Sequence, residues 1–427
     1  MTHAYRPDTV TVRRLLAISW EMPPLSGPRA VQVTRTLIAL AALGWESRTV
    51  CFGPTSGRYH EDFHVDLEAA SHGLARRVPV PSPEEWLFFR ALWRVCPPLK
   101  QLPDEKWVWR PAAIAEARRQ IADARPDVIV SFAQPWTDHL VGRQLARETG
   151  IPWVAHFSDP WVDSPYQQGA AWQRRLWSRM ERAVAEEATR LVFVNAYARD
   201  RVMAKYPALW SSRTAIVAQG WEAGTAPLPA PAGSSPRPLR IAYTGRFYDG
   251  HRTPAVFLTG LAQLHHSTPL HGRLEVEFIG HGMAAYEALA ERGGLAGIVR
   301  FTGRLDPHVT RVRAAQADVL LTIDAPSNGA SLFLPSKLVD YLPFERPLLA
   351  LTPSRGPSAE LVRELGYAAV DPDDVTGVAD AVRMLVDAHE AGRLAASLAH
   401  RAIAGRYDIR ETTKAFARVL DEAVGSS

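Results

Sequence analysis

Cysteine is nearly absent: the 427 residues hold two, Cys51 and Cys96. Neither stands in a Cys/His cluster, so neither a disulfide framework nor a cysteine zinc site is indicated, and the usage fits a reducing cytoplasm. No H-E-x-x-H, paired-Cys or D-x-D stretch in a metal-site context occurs, so no metal ligands are assigned. Long apolar runs are missing as well. The first, Leu15 to Trp20, has strand length, and no signal-peptide core precedes it. Nowhere do roughly 18 apolar residues follow one another, so no membrane-spanning helix is expected and any membrane contact would be peripheral. Nor does one sign of charge dominate. The 49 basic and 45 acidic residues leave a net charge of +4. With the bases dispersed among acids, no nucleic-acid footprint is present.

What remains is an ordinary globular composition, 47% hydrophobic and 22% charged, on a chain long enough to favour two domains. Strand-like and helix-like stretches alternate. Leu15–Ser19 reads as a buried strand. A Pro-rich loop with Gly27 follows, then a helical pattern from Ala30 to Leu43 that Gly44 stops. The alternation continues through strand 126–132, helix 137–148, a strand with its carboxyl-end loop over 151–161, helix 170–188, strand 191–195 and helix 196–206. Residues 221–238 change to Pro, Ala, Gly and Ser without apolar period and read as a linker. Alternation resumes at Leu239–Tyr243 and runs to a closing helix at residues 409–424. Repeated strand–helix units predict parallel sheets. The expected fold class is α/β: two Rossmann-like doubly wound domains, 1–220 and 239–409, facing across a cleft, with 410–427 as a final helix.

Three stretches could carry chemistry. In the first, Pro326 to Leu351, a loop of small residues leads into a short helix and a buried strand. Pro335 suits the first helical position. Leu338, Val339 and Leu342 give a core side, and Lys337, Asp340 and Tyr341 share another face. A helix N-terminus with an added lysine charge suits an anion, and Asp340 suits sugar hydroxyls. The same spacing is equally that of a surface Lys–Asp pair worth roughly 0.2–0.5 kcal/mol. In the second, Tyr243 to Pro254, a strand ends at Gly245 and Arg246 and Arg252 follow, a pair able to neutralise a diphosphate or simply to be solvated. Gly280, in the turn after Val276–Ile279, and the Phe301-Thr-Gly-Arg-Leu305 loop are further turns where a base or ribose could come close. In the third, His156 and Asp159 lie at the carboxyl end of a strand. Asp159 could orient an acceptor hydroxyl or take its proton, or be a turn residue before proline; His156 faces either the cleft or the core. Separately, residues 86–99, WLFFRALWRVCPPL, are aromatic and basic. They fit a helix on a membrane surface or one packed on the domain.

P-S-K-L-V-D-Y-L-P-F-E-R-P-L-L-A-L, residues 335–351, resembles the nucleotide-sugar segment of GT-B glycosyltransferases, close to glycosyltransferase family 4. The resemblance implies that Asp340 holds the ribose. The first Glu of the family's E-x7-E pattern would fall at Leu332 and is missing, which leaves backbone amides around Ala330 to Phe333, Ser331 and Leu332 among them, as ligands there. G-R-F at 245–247 matches the family's phosphate-binding Arg, and Arg252 stands about where a Lys usually does. Arg246, Arg252 and Lys337 would then stabilise the departing diphosphate. P-P-L-S-G-P-R resembles the first loop of the family, where Gly27 faces the donor, and residues 103–107 resemble its P-D-x-x-W stretch. Gly280 and Phe301 would contact the base through backbone. His156 and Asp159 would face the transferred sugar and acceptor.

The resemblance implies a retaining hexosyltransferase that uses a nucleotide-diphosphate sugar and no metal or other cofactor. The acceptor would be a glycan, lipid-linked or small molecule. Domain two would hold the donor and domain one the acceptor, with the last helix crossing back onto domain one. The setting implied is bacterial polysaccharide assembly in the cytoplasm, peripheral at the inner membrane face. Two other readings stay open: a non-catalytic scaffold of the same fold, and a UDP-N-acetylglucosamine 2-epimerase.

Overall fold

The computed structural model describes residues 12–426 apart from 56–68, 70, 74, 84–85, 223–236, 248–251, 282–283 and 328. Most of the expected linker lies outside the described residues. The chain forms two compact units: residues up to Gly220 together with those from Ile409 onward, and Trp221–Asp408.

The first unit is built on seven parallel strands: β1 (Arg13–Ile18), β2 (Trp45–Phe52), β3 (Ala75–Val80), β4 (Val128–Ala133), β5 (Trp153–Phe157), β6 (Arg190–Phe193) and β7 (Thr214–Ile216). They lie in the order β3-β2-β1-β4-β5-β6-β7. Parallel strands are covered on both faces, so central ones read as unbroken apolar runs rather than alternating ones. β4, VIVSFA, is buried at every position. Its Ile129 and Ala133 face one core with Trp136 and Phe157, and Val128, Val130 and Phe132 face the other. Helix Pro28–Ala41 covers the second face with Val33, Leu37 and Leu40, at helical spacing. The C-terminal helix, Ile409–Gly425, completes that face with Phe416, Leu420 and Ala423.

The second unit repeats the plan with β8 (Leu239–Thr244), β9 (Leu274–Ile279), β10 (Val299–Gly303), β11 (Val319–Ile323), β12 (Leu348–Leu351) and β13 (Ala369–Val370). Their order is β10-β9-β8-β11-β12-β13. Trp221, placed in the linker from its sequence, belongs to this unit. Its N–H donates to the Tyr407 carbonyl at 2.8 Å, its indole N–H donates to the Ala404 carbonyl at 2.8 Å, and it bridges to Asp408.

In each sheet the strand order reverses once, between β1 and β4 and between β8 and β11. The connections leave to opposite faces there and open a crevice at the carboxyl ends of the strands, which is where open α/β sheets bind ligands. The loops that follow β1, β4, β8 and β11 are therefore where chemistry should be sought.

Candidate functional site

In the second unit the chain leaves β8 at Gly245, whose φ is +122°. A side chain there would be strained, and a Cβ would stand 2.6 Å from Lys337 Nζ. Lys337 comes from the other side of the crevice, on the six-residue helix Ser336–Tyr341. Pro335 precedes that helix as its N-cap, one position earlier than the sequence suggested, because its extended ψ of 134° is not helical. So short a helix has little dipole, and the positive charge here is the lysine's own. Tyr341 locks the helix to β8 by accepting the Thr244 N–H at 2.8 Å. Lys337 Nζ is buried and has no hydrogen-bond partner; it lies 3.6 Å from the centre of the Tyr243 ring. The expected Lys337–Asp340 surface pair is thus not formed.

Burial, and then repulsion from Arg252, push the Lys337 ammonium well below its ordinary range; Asp324 opposes this only in part. Asp324, buried at the end of β11, accepts from Thr352 Oγ1 at 2.7 Å, while its other oxygen has no partner. Its own pKa is raised, chiefly by burial. Arg252 donates to the Arg246 carbonyl at 3.2 Å, and the Arg246 side chain is exposed. Lys337 therefore holds a buried cation at this sheet edge beside Arg252, with no hydrogen-bond partner of its own and Asp324 only partly offsetting its charge. That is costly unless an anion arrives.

The remaining predicted positions divide. Gly280, with φ +147°, abuts Gly245 at the end of β9. Ser331 is buried beneath the loop, its N–H donating to the Arg355 carbonyl at 2.8 Å, so that amide is already used. Leu332 and Asp340 are half-buried. The Phe301 side chain stacks on Phe278 at 5.0 Å and packs on the core, which leaves only its backbone for a ligand.

In the first unit Gly27 caps helix Pro28–Ala41, and a Cβ on it would clash with the Glu21 carboxylate. The face that the resemblance turns toward the donor thus carries an acid, which suits a hydroxyl better than a phosphate. Arg29, in the first turn, is buried. Its guanidinium donates to His156 Nδ1 at 3.0 Å and lies 5.5 Å over the Phe132 ring. Guanidinium has no acceptor, so Nδ1 accepts and the His156 proton sits on Nε2. Burial lowers the Arg29 pKa to about 10 against the pull of Asp159, Asp138 and Glu21. Burial and Arg29 together hold His156 neutral. Asp159 accepts from Ser158 Oγ at 2.9 Å and is raised by burial. Asp138 accepts the Trp20 N–H at 2.9 Å, tying the β1 and β4 loops together, and is raised well above the ordinary carboxylate range, first by burial. A cavity of about 20 Å³, room for one water, is lined by Arg29, Gln32, Phe132, His156, Gln219 and Thr413.

A buried relay lies behind this site. Trp153 Nε1 donates to Ser131 Oγ at 2.8 Å, and Ser131 Oγ shares a second hydrogen bond with His139 Nδ1, also at 2.8 Å. Burial, followed by Arg29, pushes the His139 pKa down to about 3. The unfolded chain protonates this ring near pH 6.5. The His139 contribution is therefore whole above that pH and is lost as pH falls toward 3, by up to about 1.4 kcal/mol per pH unit. The raised carboxyls act in the opposite sense, so the effect is read as a difference. Urea unfolding of wild type minus His139→Asn is expected to lose stability steadily from pH 6.5 to 4.5; a flat difference would refute the assignment.

Residues 27–220 match the family model described as the glycosyl transferase 4-like domain. Over those residues the first unit is similar to that domain. No curated protein matches the chain in sequence. Solved structures match it along nearly all its length. Sucrose-phosphate synthase from Thermosynechococcus elongatus is 17% identical with a TM-score of 0.67, over 97% of this chain and 100% of that one. WaaG, a glycosyltransferase involved in lipopolysaccharide biosynthesis, is 15% identical with a TM-score of 0.61, over 95% and 99%. UDP-GlcNAc 2-epimerase from Neisseria meningitidis, bound to UDP-GlcNAc, is 11% identical with a TM-score of 0.56, over 95% and 99%. The fold is GT-B, as the resemblance implied. Because an epimerase shares it, the fold alone does not select the reaction.

Within the first unit, Gly27 comes from the loop after β1, while His156 lies in β5 and Asp159 directly after it; Arg29 bonds His156 directly, and its charge acts on Asp159. Arg29, Asp138 and Glu21, and Asp324 in the second unit, were not singled out from the sequence. For Arg29 a signal existed: a cation in a first helical turn opposes the helix dipole.

Proposed function

We propose that the chain transfers a sugar from a nucleoside diphosphate sugar to an acceptor hydroxyl. The observation that carries this is Lys337. It is a buried ammonium without a hydrogen-bond partner, at a parallel-sheet switch point, beside Arg252 and a glycine that lets a ligand approach. A diphosphate supplies the missing charge, and charge held ready in this way is typically the largest catalytic contribution when a diphosphate departs. Arg246 adds an exposed guanidinium for bidentate contact. Asp340 is proposed to hold the ribose, and the backbone at Gly280 and Phe301 the base. With these cations in place, the diphosphate is proposed to need no metal. On the acceptor side, His156 offers an Nε2–H donor to a sugar hydroxyl, and Asp159, raised toward neutrality, is suited to accept a hydroxyl proton. A retaining course and a hexose donor rest on the family resemblance, as does a glycan, lipid-linked or small-molecule acceptor.

The test is a thermal-shift panel of UDP, GDP, dTDP, ADP and CMP, with and without EDTA. A diphosphate at about 100 times its dissociation constant adds roughly 2.7 kcal/mol of stability. One diphosphate should shift the transition, EDTA should leave the shift unchanged, and Arg246→Ala should reduce it. No shift with any nucleotide overturns the donor site and leaves the scaffold reading. Conversion of UDP-N-acetylglucosamine without any acceptor would instead establish an epimerase.

A further inference from the structure

Helix Leu87–Val95 of the first unit buries none of its residues fully. Its inward side, Phe89, Leu92 and Trp93, is half-buried, with Phe89 edge-on to Trp107 at 6.2 Å. The outward side is apolar too. Leu87 is 77% exposed, Phe88 67% and Val95 83%, and Trp86 just before them is 63% exposed. At 100° per residue, Leu87, Phe88, Ala91 and Val95 form one stripe about 100° wide, with Arg90 and Arg94 along one flank. Water-facing helices carry polar residues there, and a contiguous apolar stripe marks an interaction surface.

A second segment extends this face. Gln173 donates to the Pro98 carbonyl at 3.3 Å and Trp177 to that of Gln101 at 3.0 Å, which seats the start of helix Ala171–Glu187 beside residues 97–101. Exposed on its first turns are Trp172, 48% accessible, and Arg174, Arg175 and Arg179. No acidic residue occurs between Trp86 and Pro103 or between Ser164 and Met180. Arg90, Arg94, Arg174, Arg175 and Arg179 make no ion pair among the described residues. No helix among those residues is long and apolar enough to cross a membrane.

We propose that this face lies on an anionic lipid bilayer, with Trp86, Leu87, Phe88 and Val95 at the acyl boundary and the arginines among the headgroups. Charge selects this occupant: a second copy would set the same arginines against each other, whereas anionic headgroups pair with them.

The test is co-sedimentation of the full chain with vesicles of pure phosphatidylcholine and of seven parts phosphatidylcholine to three of phosphatidylglycerol. Binding to the anionic vesicles should be at least tenfold tighter and should weaken steeply with salt. Leu87→Gln/Phe88→Gln/Val95→Gln should lose at least tenfold with an unchanged melting temperature, and Arg90→Glu/Arg94→Glu should lose the preference for anionic lipid. Absence of vesicle binding, or equal binding to both compositions, would overturn the proposal. So would a wild-type dimer in sedimentation velocity that the triple variant makes monomeric. None of these readouts depends on transferase activity.

Discussion

Lys337→Met is expected to abolish nucleoside diphosphate binding and to raise the melting temperature of the ligand-free protein. The two effects share one cause. Lys337 carries its ammonium in a place that burial and Arg252 make unfavourable, without a hydrogen bond in return. Methionine keeps the stem over Tyr243 and removes the misplaced charge, while Asp324 keeps its bond from Thr352. Replacing a buried charge by an apolar group of similar size is neutral or stabilising by about 1–4 kcal/mol. Losing a buried charge pair to a ligand costs about 2–5 kcal/mol of binding, a 30- to several-thousandfold weaker complex. In the free protein the lysine pKa is depressed, so the unfolded chain holds the extra proton and stability rises with pH up to about 10.4, the unfolded value. A bound diphosphate raises that pKa again. Binding should then take up as much as one proton between the two values, and affinity should fall as pH rises through that window. Titration calorimetry in buffers of different ionisation enthalpy reads this directly. A Lys337→Met protein that melts lower and still binds would sink the assignment.

The β framework was legible where burial is two-sided. Residues 128–132 and 319–323 show it, since a central parallel strand has no face left for polar residues. Edge strand β3 was not assigned, because Ala75–Val80 carries Arg76, Arg77 and Pro79, the residues that keep an edge from pairing further. At the site, Gly245, Arg246 and Lys337 were legible as a pattern. The contact of Lys337 with Gly245 and Tyr243 was not, because it depends on β8 lying next to β11 rather than on local text. Asp138 is the plainest case. In sequence it is a first-turn acid of the kind any helix favours; only the pairing of β1 with β4 brings its carboxylate to the Trp20 N–H. Long-range register, not composition, decides which of many plausible acids and bases meet.

Gly280→Ala is expected to produce the largest loss of stability of any single methyl added to the chain's sheet edges. At φ +147° an alanine is strained by about 1–3 kcal/mol. Its Cβ would also stand 2.0 Å from the Gly245 carbonyl oxygen, backbone against backbone. Neither strand end can retreat cheaply. Gly245 N–H donates to the Ile279 carbonyl at 2.7 Å, and Gly280 N–H donates to that of Gly303 at 2.8 Å. Overpacking of this kind adds about 1–3 kcal/mol, for a total near 4 kcal/mol, or about 10 °C at the slope of a unit this size. Gly303→Ala is the control. Its φ of +69° also disfavours a side chain, but nothing lies within 4 Å of the added methyl, so the cost should be only the left-handed strain of about 1–2 kcal/mol. Because Gly245 must shift to admit the new methyl, and Lys337 packs against Gly245, Gly280→Ala should also lose the nucleotide-induced shift at temperatures where it remains folded. Gly303→Ala should keep it. Equal melting temperatures for the two variants would mean that the β8 and β9 ends are not packed as described, and the anion site built on them would fall with that packing.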